Sequence, residues 1–206
     1  MTFLYGTNME LLYNQAAIAA TITTTTPTCI NTAATILPYQ LPALQNIWSA
    51  SNMVGKGFMI IAGGGYNDTA AAESLRLQLN FDAAVATSAA TSVVVAAHGL
   101  STVPTTNVGQ WQAQCWMSCV SASGTASTWY VNGEATYGVG NTETGQVPGS
   151  AVTTALMWSG PSNTTGVPAV VTLSSITSYF PDLWSTWLGA GGCTITTTQL
   201  MIFGLN

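Results

Sequence analysis

Charge is almost absent from this chain. Lys56 and Arg76 are its only strong bases, and seven carboxylates (Glu10, Asp68, Glu73, Asp82, Glu134, Glu143 and Asp182) leave a formal net charge of −5 over 206 residues. So sparse a field cannot gather phosphate, and nucleic acid is not expected as a partner. Histidine is as scarce: His98, followed by Gly99, stands alone. General acid–base and nucleophilic sites need titratable groups that can meet, and a lone imidazole in a turn beside singly placed carboxylates announces none. Folding can still bring two distant carboxylates together. No phosphate loop or HExxH helix is present, and Gly63-Gly64-Gly65 has neither a lysine nor a following helix. No enzymatic activity, catalytic residue, cofactor or metal is expected. No apolar run approaches the roughly 20 residues of a membrane helix, so no membrane partner is expected. The first residues lack the basic and then apolar pattern of a secretory signal.

Disorder does not follow from this poverty, because Trp, Leu, Ile and Val are plentiful. The surface is neutral, made of Thr, Ser, Asn and Gln. Proteins with so little charge to keep them apart tend to associate, so much of this surface is expected to be subunit interface.

The stretch Asn52–Asp82 reads as the centre of the fold. Within Ser74–Asp82, Leu75, Leu77, Leu79 and Phe81 alternate with Ser74, Arg76, Gln78, Asn80 and Asp82. That is a strand with one dry face and one wet face. Lys56–Ala62 is a shorter apolar strand, and Gly63–Gly65 is expected to bend the chain between the two or to admit another backbone closely. Further strands are expected at 92–97, 110–120, 127–137, 151–158, 170–173, 182–188 and 193–206, about eight in all, with a turn at Ser121–Gly124 and loops at 138–149 and 160–168. Such a count with these turn signals points to an all-β antiparallel sandwich or jelly roll occupying residues 51–206.

Residues 1–50 differ. Met9–Ala17 has the makings of a turn or two of helix, Thr21–Thr28 is a β-branched run stopped by Pro27, and Pro38 and Pro42 bracket Tyr39-Gln40-Leu41. This is expected to be an extended attachment arm with one or two edge strands, stable only when laid against something. Its candidate anchors are the apolar Leu11, Leu12, Tyr13 and Trp48.

The four cysteines do not form a zinc pattern. Cys115 and Cys119 lie in one strand, facing the same side, with Cα atoms roughly 13 Å apart at about 3.3 Å per residue. That is too far for a mutual disulfide. Buried apolar thiols are the plain reading for Cys115, Cys119 and Cys193, while Cys29 in the arm is a candidate cross-link to another strand or subunit. Trp111, Trp116, Trp129, Tyr130, Trp158, Trp184 and Trp187 suit core or interface, or else a platform on which sugar rings stack.

Asn52-Met53-Val54-Gly55-Lys56-Gly57-Phe58, the glycine-bearing strand after it and Leu75-Arg76-Leu77-Gln78-Leu79 resemble jelly-roll structural proteins of tailed bacteriophages. So do Trp111–Met117, Leu183-Trp184-Ser185-Thr186-Trp187 and the Thr-rich last strand closing on Leu205-Asn206. The resemblance covers about residues 45–206 and lies in strand order and spacing. It implies a virion component, commonly a homotrimer, on the capsid surface or in the tail. The expected role is capsid decoration, with sister chains and the major capsid protein or other virion proteins as partners and the 1–50 arm as the clamp. The rival expectation is a tail or head fibre tip that grips a host surface glycan.

Overall fold

A computed structural model describes residues 9–18, 26–30, 40–68, 74–84, 93–97, 101–102, 106–139, 153–157, 169–188 and 193–206. His98, Trp158 and the loops expected at 138–149 and 160–168 fall wholly or largely outside these residues. The described residues form β1 (Met9–Ile18), β2 (Thr28–Cys29), β3 (Gly57–Asp68), β4 (Ser74–Asp82), β5 (Val93–Ala97), β6 (Ser101–Thr102), β7 (Thr106–Ala122), β8 (Ala126–Val139), β9 (Thr153–Met157), β10 (Ala169–Ser174), β11 (Phe180–Leu188) and β12 (Thr194–Leu205). One α-helical turn, α1 (Leu44–Ile47), and a 3-10 turn at Ala50–Asn52 precede β3.

The strands make an all-β, jelly-roll-like antiparallel sandwich. The large sheet runs β1-β12-β3-β7-β8-β10, with β9 on β8, and the small sheet runs β2-β11-β4-β5, with β6 on β4. β10 and β9 share one edge of β8, along Ala126–Val131 and Glu134–Gly138 respectively. The chain leaves the large sheet at β3 to enter the small one at β4. It returns through β11, which pairs with β4, and β12, which pairs with β3. That nesting of two strand pairs across two sheets is what makes the sandwich jelly-roll-like.

Alternation builds the core. On β7, Trp111, Ala113, Cys115, Met117 and Cys119 are buried while Gln110, Gln112, Trp116, Ser118 and Val120 are exposed, the period of two that a half-buried strand requires. Trp48 packs on Phe58 and Trp129, with ring centroids 5.0 and 6.1 Å away. Its indole Nε1 donates to Asn206 Oδ1 at 2.6 Å, so the last residue is tied to the core.

Three expectations are corrected. Met9–Ala17 is strand, not helix: β1 pairs antiparallel with β12 from Met9↔Leu205 to Ile18↔Thr197. A short uncapped segment has little helical stability of its own, and a long partner strand decides its conformation. Gly63–Gly65 do not bend the chain, because they lie inside β3, laddered to β12 and β7, and β3 and β4 sit in different sheets. The close approach that glycine allows is realised instead: a Cβ on Gly64 would fall onto the Thr196 carbonyl oxygen. Finally, the polar face of β4 is wet only at its start, where Ser74 and Arg76 are half-buried. Gln78, Asn80 and Asp82 are buried, as is Asp182 opposite Asn80 on β11.

Candidate functional site

The outer face of the large sheet can be assembled row by row from the strand register. One row crosses β1, β12, β3, β7, β8 and β10 as Met9, Leu205, Gly57, Ser118, Tyr130 and Val170. The next crosses five strands as Leu11, Phe203, Met59, Trp116 and Asn132. Neither row holds a charged residue. Leu11 is 49% exposed, Tyr130 49% and Trp116 43%, with Met9, Val120 and Val170 similarly open. Apolar side chains set side by side across this many strands form a patch, and exposed patches of this kind mark interaction surfaces.

A third row, Asn14, Met201, Ile61, Gln114 and Glu134, is the border. Here Gln114 Nε2 donates to Glu134 Oε1 at 2.9 Å.

Beyond the border the face changes character. The fourth row reads Gln199, Gly63, Gln112 and Thr136, and the fifth Thr196, Gly65, Gln110 and Gly138. Outward glycines at 63, 65 and 138 leave the pleat without side chains. A groove of about 640 Å³ opens here, lined by Gln110, Gln112, Thr136, Thr196, Thr198 and Gln199, with Gly64, Gly65, Gly109 and Gly138 and the buried Trp111 beneath them. The β12 bulge between Thr197 and Gln199 lets both Thr198 and Gln199 line it. Thr198 Oγ1 donates to the Gly63 carbonyl at 3.0 Å, Thr196 Oγ1 to that of Gly65 at 3.3 Å, and Trp111 Nε1 to that of Thr196 at 3.0 Å. The wall is thereby pinned to its floor.

The arm residues fall in different places. Leu11 is on the open apolar face, and Leu12 is half-buried against the core. Tyr13 and Trp48 are buried inside this chain. They therefore tie β1 and the segment around Trp48 to this chain's own sandwich. Cys29 is half-buried on β2 beside Trp184 of β11, and Cys115, Cys119 and Cys193 are buried; none of the four is in a disulfide. Burial raises the Cys115 thiol far above its ordinary range, which keeps it protonated and inert.

Tyr13 meets the small sheet near Cys29 and Asp182. Burial first, then the Asp182 carboxylate and Cys29, hold its phenol well above the ordinary value, and its Oη donates to Gln15 Oε1 at 2.7 Å. Asp82 and Asp182 occupy diagonal positions on β4 and β11, so folding does draw two carboxylates toward each other. Both are closed to solvent, which withholds them from a substrate.

Of the rings expected to suit core, interface or a sugar platform, Trp158 lies outside the described residues, and Trp116 and Tyr130 are exposed at diagonal positions on the outer face of the large sheet. Trp48, Trp111, Trp129, Trp184 and Trp187 are buried, and among the described tryptophans only Trp116 is exposed. The glycine-floored groove was not foreseen from sequence, because its parts come from four strands and only the register brings them together. The run Gln110–Gln112–Gln114 on one strand face was the one available signal. No family model, curated protein or solved structure matches the chain.

Proposed function

We propose that this chain is a virion structural protein, a capsid decoration protein that works as a homo-oligomer, covering its apolar outer face with sister chains and binding the shell through contact with the major capsid protein. The observation that carries the self-association is the uncharged double row from Met9 to Val170 and from Leu11 to Asn132, open to solvent in a chain with very few ionic groups. Apolar area taken out of water contributes about 25 cal/mol per Å², enough over an interface of ordinary size to hold subunits together without chemistry. Placement on a virion rests on the resemblance in strand order and spacing to phage jelly-roll proteins.

Sedimentation of the full chain across a concentration series tests the association: a discrete oligomer, expected to be a trimer, supports it. A monomer at high concentration that also fails to co-sediment with virus particles removes the proposal. Copy number per particle then separates the roles, since hundreds of copies mean head surface and a handful mean a fibre tip.

A further inference from the structure

We infer that the glycine-floored groove on the outer face of the large sheet is a binding site for a neutral oligosaccharide. The inference stands apart from the virion reading. It rests on the groove between Gly65, Gly138 and the carboxamides of Gln110, Gln112 and Gln199.

Three features select the ligand class. The first is the kind of polar group present. Apart from Trp111, whose indole N–H is spent on the Thr196 carbonyl, every polar side chain at the groove is a carboxamide or a hydroxyl, and each such group both donates and accepts hydrogen bonds. A ligand dense in hydroxyls answers that pattern, whereas an anion finds no cation in the wall and a carboxylate, Glu134, in the neighbouring row. The second is that the carboxamides are unspent. No side-chain amide of Gln110, Gln112 or Gln199 bonds to another described residue, while the threonine hydroxyls donate to main-chain carbonyls, that of Thr136 to Gln112, and keep lone pairs to accept with. Asn67, next in the same column of β3 as Gly63 and Gly65, also keeps a buried amide oxygen without a partner.

The third is shape. Main-chain groups under the groove are laddered between β12, β3, β7 and β8, so an incoming peptide has no free edge to extend and must be held by side chains alone. Four strands at about 4.8 Å spacing make a floor roughly 14 Å wide, and the volume of about 640 Å³ lies within the usual range of small-ligand sites. Trp111 borders the groove but is only 2% exposed, so recognition falls to the amides.

The test titrates the full chain with maltohexaose, cellohexaose and chitohexaose and follows the side-chain NH₂ resonances of Gln110, Gln112 and Gln199. Saturable shifts with at least one of these at millimolar concentration are expected. A Cβ at Gly138 meets nothing within 4 Å, so Gly138→Leu fills the groove while leaving the fold intact, and it should abolish the shifts. Gln112→Ala, at an exposed position, should weaken binding by about three- to tenfold. Trp116→Ser, in the apolar half, should leave it unchanged. The inference is overturned by no saturable shift with any of the three sugars, or by binding that survives both Gly138→Leu and Gln112→Ala. It is also overturned by equal binding of a sulfated hexasaccharide, or by a change of oligomeric state in Gly138→Leu, which would mean that a sister chain occupies the groove.

Discussion

The two sheets treat polarity in opposite ways. On β4 and β11 of the small sheet, Gln78, Asn80, Asp82 and Asp182 are closed off from water. On the large sheet Met9, Leu11, Trp116, Tyr130 and Val170 stand open to it. A single polypeptide has hidden amides and carboxylates while displaying an indole and aliphatic chains. Alternation along a strand says that its two faces differ; which face is covered depends on what the rest of the fold lays over it. A buried amide can then find partners only inside the protein: Gln78 Nε2 donates to Asn80 Oδ1 at 2.7 Å, while Asn80 Nδ2 is left without one. An exposed apolar face has no such internal remedy, and this is the face that the proposed association would cover.

The largest effect is expected where both faces of the large sheet can be compared through one residue type. Trp129 is fully buried against Phe58, with centroids 5.0 Å apart, and its Nε1 donates to Ser127 Oγ at 2.8 Å. Trp129→Ala should cost about 3–5 kcal/mol of folding stability, read as a drop in Tm of roughly 6–20 °C. A loss below about 1 kcal/mol would mean that the inner face is not the packed one.

Next comes the closed polar face of the small sheet. Asn80→Leu strands the Gln78 amide and should cost about 1–3 kcal/mol by urea unfolding. Gln78→Met with Asn80→Leu removes both partners and should recover most of that loss, a coupling that a double-mutant cycle measures. If the two single changes simply add, the pair is not buried together and the contrast between the sheets weakens.

Alkaline titration reports on the same burial. Burial raises Cys115, Tyr137 and Tyr13, so each holds its proton more tightly folded than unfolded. Their contribution stands in full below the ordinary titration points, 9.0 for the thiol and 10.0 for the phenols. It is lost as pH rises past them. Stability should therefore be level from neutrality to about pH 9 and lower by about 2 kcal/mol at pH 10, most of it from Cys115. A level profile to pH 11 would show these groups to be solvated.

How much of this was legible depended on whether a residue's neighbours were near in sequence. Trp111 to Cys119 and Thr194 to Leu205 carry their own alternation, so β7 and β12 could be placed and the two-sheet fold inferred. Met9–Ala17 could not, because its strand character comes from Leu205 and the residues before it, far along the chain. Gly63–Gly65 has no side chains to alternate and looked like a bend; ladders on both sides hold it straight. The groove was invisible for the same reason. Gln110, Thr136, Gln199 and Gly65 form a site only once four strands are in register, and a period of two in each strand does not give the offset between strands.

The smallest effect on the fold carries the most information about function. Trp116 and Gln112 project from the same face of β7, four residues apart, one in the apolar rows and the other in the groove. Both are exposed, so Trp116→Ser and Gln112→Ala should each leave subunit stability within about 0.5 kcal/mol of the parent. If the apolar rows are where sister chains meet, Trp116→Ser should still weaken self-association by about tenfold or more, because an indole at the centre of an interface contributes far more to binding than to folding. Gln112→Ala should leave the sedimentation profile alone. Equal sedimentation of both variants and the parent would mean that the open apolar rows are not the joint, and the ordering of this face into a half that binds its own kind and a half that does not would have to be given up.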